Sequence, residues 1–286
     1  MSKIPEFIAE VSSNHHRDID RCRVFIDTAA EIGCHAVKFQ LFKIDQLFAP
    51  EILRKSKMHR ERKEWELPEE YVPLLAEHCH SRNIQFCCTP FYLEAVKVLE
   101  PYVDSFKIAS YELLWGELLN ACATTGLPLI LSTGMATLDE VTSSVELLQR
   151  AGCNDLTLLH CVSGYPTPVN ECNLAALQTL RQAFSYRTGW SDHSVNPAVI
   201  ARAVHHWNAE VIEFHLDLDG QGAEFSSGHC WLPEQIGGVI ETCRYLTEAD
   251  GDGIKRPVPS ELPDRPWRAD PADGLRPFRR IREEWR

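Results

Sequence analysis

The feature that most constrains this chain is an alternation repeated eight times, in which a short apolar run of strand character precedes a longer segment of helical periodicity. The strand-like runs lie near Phe7-Ile8-Ala9, Ala36-Val37-Lys38-Phe39, Ile84-Gln85-Phe86-Cys87, Ser105-Phe106-Lys107-Ile108, Leu129-Ile130-Leu131, Leu156-Thr157-Leu158-Leu159, Tyr186-Arg187-Thr188-Gly189 and Val211-Ile212-Glu213-Phe214. Helical patterns follow them, from Cys22 to Ile32 at the start to Pro233 to Leu246 at the end. Strands that alternate with helices pair in parallel, and eight such units in about 250 residues fit a TIM (β/α)8 barrel better than a doubly wound sheet. The expected fold is therefore α/β: a single (β/α)8 barrel over 1–250 and a Pro/Arg-rich C-terminal arm over 251–286, closed by a short helix. The long insertion from Leu41 to Leu67 mixes charged and aromatic residues, as a lid would.

With 44% hydrophobic and 24% charged residues, the chain carries ample material for a core. Its net charge of −12 offers no basic field to nucleic acid or an anionic membrane, so an anionic ligand must be met by local Lys, hydroxyl or backbone donors. The 11 cysteines are odd in number and mostly sit in apolar runs, which suits reduced thiols in the cytoplasm. Neither an export signal nor a membrane span is expected.

In a barrel, chemistry gathers where strands end and the following loops begin. The polar residues at those places are Glu10 and Asn14; Lys38 and Gln40; Thr89; Lys107, Ser110 and Glu112; Ser132 and Thr133; His160 and Ser163; Ser191, Asp192 and His193; Glu213 and His215. Residues two apart on a strand share a face, so Lys38 and Gln40 can both point inward, as can Glu213 and His215. Two lysines near the axis call for an anion, and a phosphate or carboxylate ligand would supply it, with Thr89, Ser110, Ser132 and Ser191 as donors. His193 and His215 end adjacent strands and can share one divalent metal. Each residue alone has a plainer reading, a surface lysine or a hydrogen-bonding histidine; the recurrence at equivalent positions is what favours a site. His78-Cys79-His80 has ligand-like spacing, but successive helical residues point apart. The tryptophans are expected mostly in packing.

Seven segments, read in order, resemble the barrel domain of the sialic acid synthase family. They are Ile8-Ala9-Glu10-Val11-Ser12-Ser13-Asn14-His15, Ala36-Val37-Lys38-Phe39-Gln40, Thr89-Pro90-Phe91, Phe106-Lys107-Ile108-Ala109-Ser110, Leu131-Ser132-Thr133-Gly134-Met135, Leu159 to Pro168 and Gly189-Trp190-Ser191-Asp192-His193-Ser194. The resemblance implies condensation of phosphoenolpyruvate with an amino-hexose such as N-acetylmannosamine, giving a nonulosonic 3-deoxy-2-keto acid and phosphate. Carried over by residue, Lys38, Thr89, Lys107, Ser110, Ser132, Ser163 and Ser191 would grip phosphoenolpyruvate. His193 and His215 would hold Mn²⁺ or Mg²⁺, while Glu10, Gln40, Glu112 and Tyr165 would face the sugar. Glu213 would manage the water proton, with Lys38 and Lys107 neutralising charge. A homodimer is also implied.

Three departures stand out. The segment after Glu213-Phe214-His215 lacks the family's usual turn, so its sugar-binding Asp is not identifiable; Glu224 and Asp219 are the candidate substitutes. Ser163 replaces a common Asn. The expected protein is a barrel without the family's small C-terminal antifreeze-like domain, leaving Arg276, Arg279, Arg280 and Arg282 either to dock or to supply a cation. Two other readings remain: a metal-dependent aldolase or lyase acting on a keto-acid sugar, and a non-catalytic sugar-sensing or assembly barrel.

Overall fold

The computed structural model describes residues 4–285, which divide into two compact units, one ending at Ala249 and a smaller one beginning at Asp250. The larger unit is a closed parallel barrel. Its strands are β1 (Glu6–Glu10), β2 (Ala36–Leu41), β3 (Gln85–Pro90), β4 (Ser105–Ile108), β5 (Leu129–Ser132), β6 (Leu156–Cys161), β7 (Arg187–Asp192) and β8 (Val211–Leu216). Each strand pairs with the next, and β8 pairs back to β1 in the register Ile8↔Glu213 and Glu10↔His215. This is the expected (β/α)8 barrel. A short strand, β9 (Cys230–Trp231), which the sequence reading did not include, adds to β8 through His215↔Cys230.

Parity along the strands builds two cores. Phe7, Ala9, Val37, Phe39, Phe86, Cys88, Phe106 and Ile108 pack outward against helix residues such as Phe25, Leu75, Val96 and Leu118. Ile8, Ala36, Cys87, Ile130, Leu159 and Val211 form a separate cluster from the opposite strand face, filling the barrel itself. Gly189 has no side chain because a Cβ there would collide with the Val211 carbonyl and the Leu159 side chain. Capping sharpens several helices: Asp18 accepts from the backbone N–H groups of Asp20 and Arg21, and Thr137 forms a reciprocal capping box with Glu140.

The insertion is built from three short α-helices, Ile44–Leu47, Pro50–Lys55 and Lys57–Glu61, followed by a 3₁₀ helix, Arg62–Trp65. Its end folds back on its start, since the Ile44 N–H donates to Glu66 at 2.7 Å. The 11 cysteines are all free thiols, and all but Cys34 are buried. No helix among the described residues is long and apolar enough to cross a membrane. In the smaller unit, Arg279–Arg282 forms one helical turn. Arg282 is held by Asp273 at 2.9 Å and Arg279 by the same carboxylate at 3.3 Å, so these two guanidinium groups already have partners.

Candidate active site

Two residues beyond the inner apolar cluster, the same strands and the same parity carry Glu10, Lys38, Thr89, Ser132, Cys161 and Glu213. Lys107 of β4 and Ser191 of β7 join this layer, and all eight residues are buried. One turn of the pleat thus converts an apolar plug into a polar floor at the C-terminal mouth of the barrel.

The two buried ammonium groups meet two buried carboxylates. Lys38 Nζ contacts Glu10 Oε2 and lies 3.6 Å from Glu213 Oε1, and Lys107 Nζ lies 3.8 Å from that same oxygen. The expectation that the lysines need a bound anion to be tolerated is therefore corrected: Glu10, in register with Lys38, and Glu213 compensate them. Burial pushes the Lys38 ammonium below its ordinary value, with Glu213 opposing and Lys107 adding to the shift. Burial alone would raise the Glu213 carboxyl, but Lys107 and Lys38 hold it below its usual range, so it is ionised. Ser191 donates to Glu213 Oε1 at 3.3 Å, whereas Glu213 Oε2 has no partner among the described residues.

Beside this core lies a pocket of hydroxyl groups. The Gly134 N–H donates to Ser110 Oγ at 3.0 Å, and a Cβ on Gly134 would run into the hydroxyls of both Ser110 and Ser163. Glycine thus keeps the backbone close to the two serines. The Oγ atoms of Ser132 and Ser163 are buried and have no partner among the described residues. Buried donors left open in this way suit a ligand rich in acceptor oxygens. Lys38 Nζ reaches Thr89 Oγ1 at 3.5 Å, and Gln40 stands in register with Thr89.

Glu112 follows β4. Burial raises its carboxyl to about 7 against the pull of Lys107, and its Oε2 is without a partner among the described residues. Glu10, assigned by the resemblance to the sugar, instead grips Lys38 with one oxygen while the other accepts from the Ser12 N–H at 2.6 Å.

The histidines gather around Tyr165. Its ring centroid is 4.3 Å from His193, 4.9 Å from His229 and 6.1 Å from His215, and His193 and His215 are 5.3 Å apart. His193 Nδ1 donates to the Val162 carbonyl at 2.9 Å; a carbonyl only accepts, so a proton sits on Nδ1, and although burial works the other way, Cys161 and that carbonyl raise the ring's pKa, so a cation at Nε2 would take the place of a proton. Burial lowers His215 to about 4, so its ring is neutral and can also act as a ligand. The donor set therefore fits a divalent metal.

Sequence reasoning missed His229, which is buried and approaches Glu224 at 3.5 Å through Nε2. The same Glu224 oxygen lies 3.2 Å from His215 Nδ1, and Ser12 donates to the other oxygen at 2.6 Å. Despite burial, these three contacts hold the Glu224 carboxyl far below its usual range. Of the two candidate substitutes for the sugar-binding Asp, Glu224 faces the site, while Asp219 is exposed and locked by Arg21 at 2.9 Å. Trp190 and Trp231 are buried and both donate to Asp192 at 3.0 Å, so they are packing residues. His78 and His80 pair with different carboxylates, those of Asp27 and Asp104.

A (β/α)8 barrel with a lysine–carboxylate floor, a serine pocket and neighbouring histidines at its C-terminal mouth has the architecture of the sialic acid synthases. The chain belongs to the NeuB family, whose sequence pattern matches residues 25–255. It is 35% identical over 268 residues to the N,N'-diacetyllegionaminic acid synthase of Campylobacter jejuni, covering 89% of this chain and 80% of that one. An uncharacterised protein of Methanocaldococcus jannaschii is 37% identical over 261 residues, covering 90% of this chain and 75% of its own. The crystal structure of the N-acetylneuraminic acid synthetase of Leptospira borgpetersenii in complex with citrate superposes with a TM-score of 0.79 at 30% identity, covering 92% of this chain and 90% of that one.

Proposed function

We propose that this protein condenses phosphoenolpyruvate with an N-acetylmannosamine-like amino-hexose to give a nonulosonic 3-deoxy-2-keto acid and phosphate. The observation that carries this reading is the pair of open, buried hydroxyls, Ser132 Oγ and Ser163 Oγ, beside two buried lysines. Oxygen-rich anions fit such a pocket; an aldolase or lyase that handles no phosphate has no use for so many donors. In this reading Lys38, Lys107, Thr89, Ser110, Ser132, Ser163 and Ser191 bind the phosphate and carboxylate. The acceptor lies toward Tyr165, Gln40 and Glu112.

A divalent cation, Mn²⁺ or Mg²⁺, held by His193 and His215 would polarise the acceptor's aldehyde oxygen. The methylene carbon of phosphoenolpyruvate forms a bond to the aldehyde carbon with the enol π pair, the aldehyde C=O π bond breaks, and its oxygen takes up a proton from solvent. Water adds to the resulting cationic C2, its proton passing to the ionised Glu213, whose Oε2 is open. The C2–O bond to phosphate then breaks while the C2 hydroxyl gives its proton to the departing phosphate, leaving the ketone and inorganic phosphate. Lys107 and Lys38 stabilise the departing charge. The test is product analysis by mass after incubation with phosphoenolpyruvate, Mn²⁺ and a panel of N-acetylated and free hexoses. A keto acid heavier than the sugar by the pyruvate unit supports the reading, and recovery of unchanged sugars across the panel contradicts it.

A further inference from the structure

We propose that Arg21 is a positioning residue for the acceptor sugar: by clamping the loop between β8 and β9 against the loop that follows β1, it sets Glu224 and His229 at the acceptor side of the mouth. The inference rests on the reading that the acceptor lies toward Tyr165, whose ring centroid is 4.9 Å from that of His229.

Arg21 stands in the first turn of the helix Ile19–Glu31, where a cation opposes the helix dipole. Its contacts with the two loops account for it. The guanidinium donates four times: Nε to the Asn14 carbonyl at 2.8 Å, Nη1 to Asp219 Oδ2 at 2.9 Å, and Nη2 to Asp219 Oδ1 at 2.9 Å and Asp217 Oδ1 at 3.0 Å. The Asp219 pair is bidentate, the geometry in which a partly exposed ion pair holds position. Asp217 is fully buried, and Arg21 is its one cationic partner among the described residues.

Hydrogen bonds carry the clamp to Glu224. Asp217 Oδ2 accepts the Gly222 N–H at 3.1 Å and Asp219 Oδ1 accepts that of Gln221 at 3.0 Å, so the two carboxylates that Arg21 holds shape the turn. Asn14, whose carbonyl Arg21 also holds, donates through its side chain to the Leu216 carbonyl at 3.0 Å and accepts the Glu224 N–H at 2.9 Å. A Cβ on Gly222 would lie 2.4 Å from Asp217 Oδ1 and 2.5 Å from Asn14 Oδ1, so glycine lets the loops close to this separation. Ser12, from the same loop after β1, donates to Glu224 Oε1 at 2.6 Å. The serines of the open pocket, Ser110, Ser132 and Ser163, stand on or just after β4, β5 and β6, outside the clamp. Its loss should therefore be felt by the acceptor and not by phosphoenolpyruvate.

The test is steady-state kinetics of the full chain with Mn²⁺, phosphoenolpyruvate and the hexose it turns over, beside hydrogen exchange of segment 217–229. Arg21→Lys keeps the charge but not the fork, and Asp219→Asn loosens the exposed half of the clamp while leaving Asp217 its partner, which gives a second route should Arg21→Lys fail to fold. Both are expected to lower kcat/KM for the sugar about tenfold or more, chiefly through KM. KM for phosphoenolpyruvate should stay at the wild-type value, and the Gly222 and Glu224 amides should exchange faster. Gly222→Ala should act in the same direction, and Arg23→Lys, on the exposed side of the same helix, should change nothing. Unchanged sugar kinetics in both Arg21→Lys and Asp219→Asn, or a KM that rises equally for both substrates, overturns the proposal whatever the melting temperature does. A wild type that turns over no hexose contradicts the synthase reading instead. The clamp is then judged by exchange: faster Gly222 and Glu224 amides in Arg21→Lys support it, and amides as slow as in the wild type overturn it.

Discussion

The Lys38 ammonium and the Glu213 carboxylate lie 3.6 Å apart in a buried floor, where Glu10 also contacts the lysine and Lys107 lies 3.8 Å from the same Glu213 oxygen. The four groups form one compensated chain, in which removal of any member strands a neighbour. Lys38→Met is therefore expected to cost about 3–5 kcal/mol of stability, because it leaves two buried carboxylates short of a counter-charge. Urea denaturation checks this, and an undiminished midpoint would contradict it. Phosphoenolpyruvate binding by the same variant should also fall below detection in calorimetry.

The hydroxyls of the serine pocket predict the opposite balance. Because Ser132 Oγ makes no hydrogen bond among the described residues, Ser132→Ala should leave stability unchanged or slightly improved. Its loss should appear in ligand affinity, by about 1.5–3 kcal/mol for a hydrogen bond to a charged oxygen. Parallel thermal melts with and without phosphoenolpyruvate separate the two effects.

Glu112 makes the protein's stability depend on pH in a defined direction. Its folded value of about 7 lies above the ordinary 4.5, so the folded state holds a proton that the unfolded chain has released. The contribution is fully present below about pH 4.5, declines as pH rises through the window to about 7, and is gone above it. Glu112→Gln, which mimics the protonated form, should flatten that slope and gain on the wild type at pH 8 relative to pH 5. Denaturation at the two pH values measures it; equal differences at both would refute the assignment.

Gly189 offers a purely structural check. Gly189→Ala drives a methyl group into the Val211 carbonyl and the Leu159 side chain, and an overpacked barrel interior should lose about 1–3 kcal/mol. A wild-type melting temperature would show that β7 and β8 are less closely apposed than described.

Eight strands were legible because apolar runs and helical periodicity are local signals, and the strand-end positions of Lys38, Lys107, His193, Glu213 and His215 followed directly. Partnerships were not local. Glu10 reads as one more polar strand end, and only the register Glu10↔Lys38 reveals it as the lysine's counter-ion. Glu224 and Asp219 looked equivalent in sequence; Arg21, far earlier in the chain, removes Asp219 from contention. His229 lies beyond an irregular turn in a segment without period, so nothing in the string aligned it with His215 until β9 paired with β8. Likewise, the arginine-rich tail could be named but not resolved, since the pairing of Arg279 and Arg282 with Asp273 depends on a local fold that composition does not encode.

The most direct measurement is phosphate release from phosphoenolpyruvate with and without an acceptor sugar, with the loaded metal held constant. A condensing synthase releases phosphate in step with keto-acid formation, only when an N-acetylated amino-hexose or its relative is present, and releases none in a Lys107→Ala variant. Cleavage of a nonulosonic acid to pyruvate and sugar, with phosphoenolpyruvate untouched by every sugar tried, would contradict that account and establish a lyase.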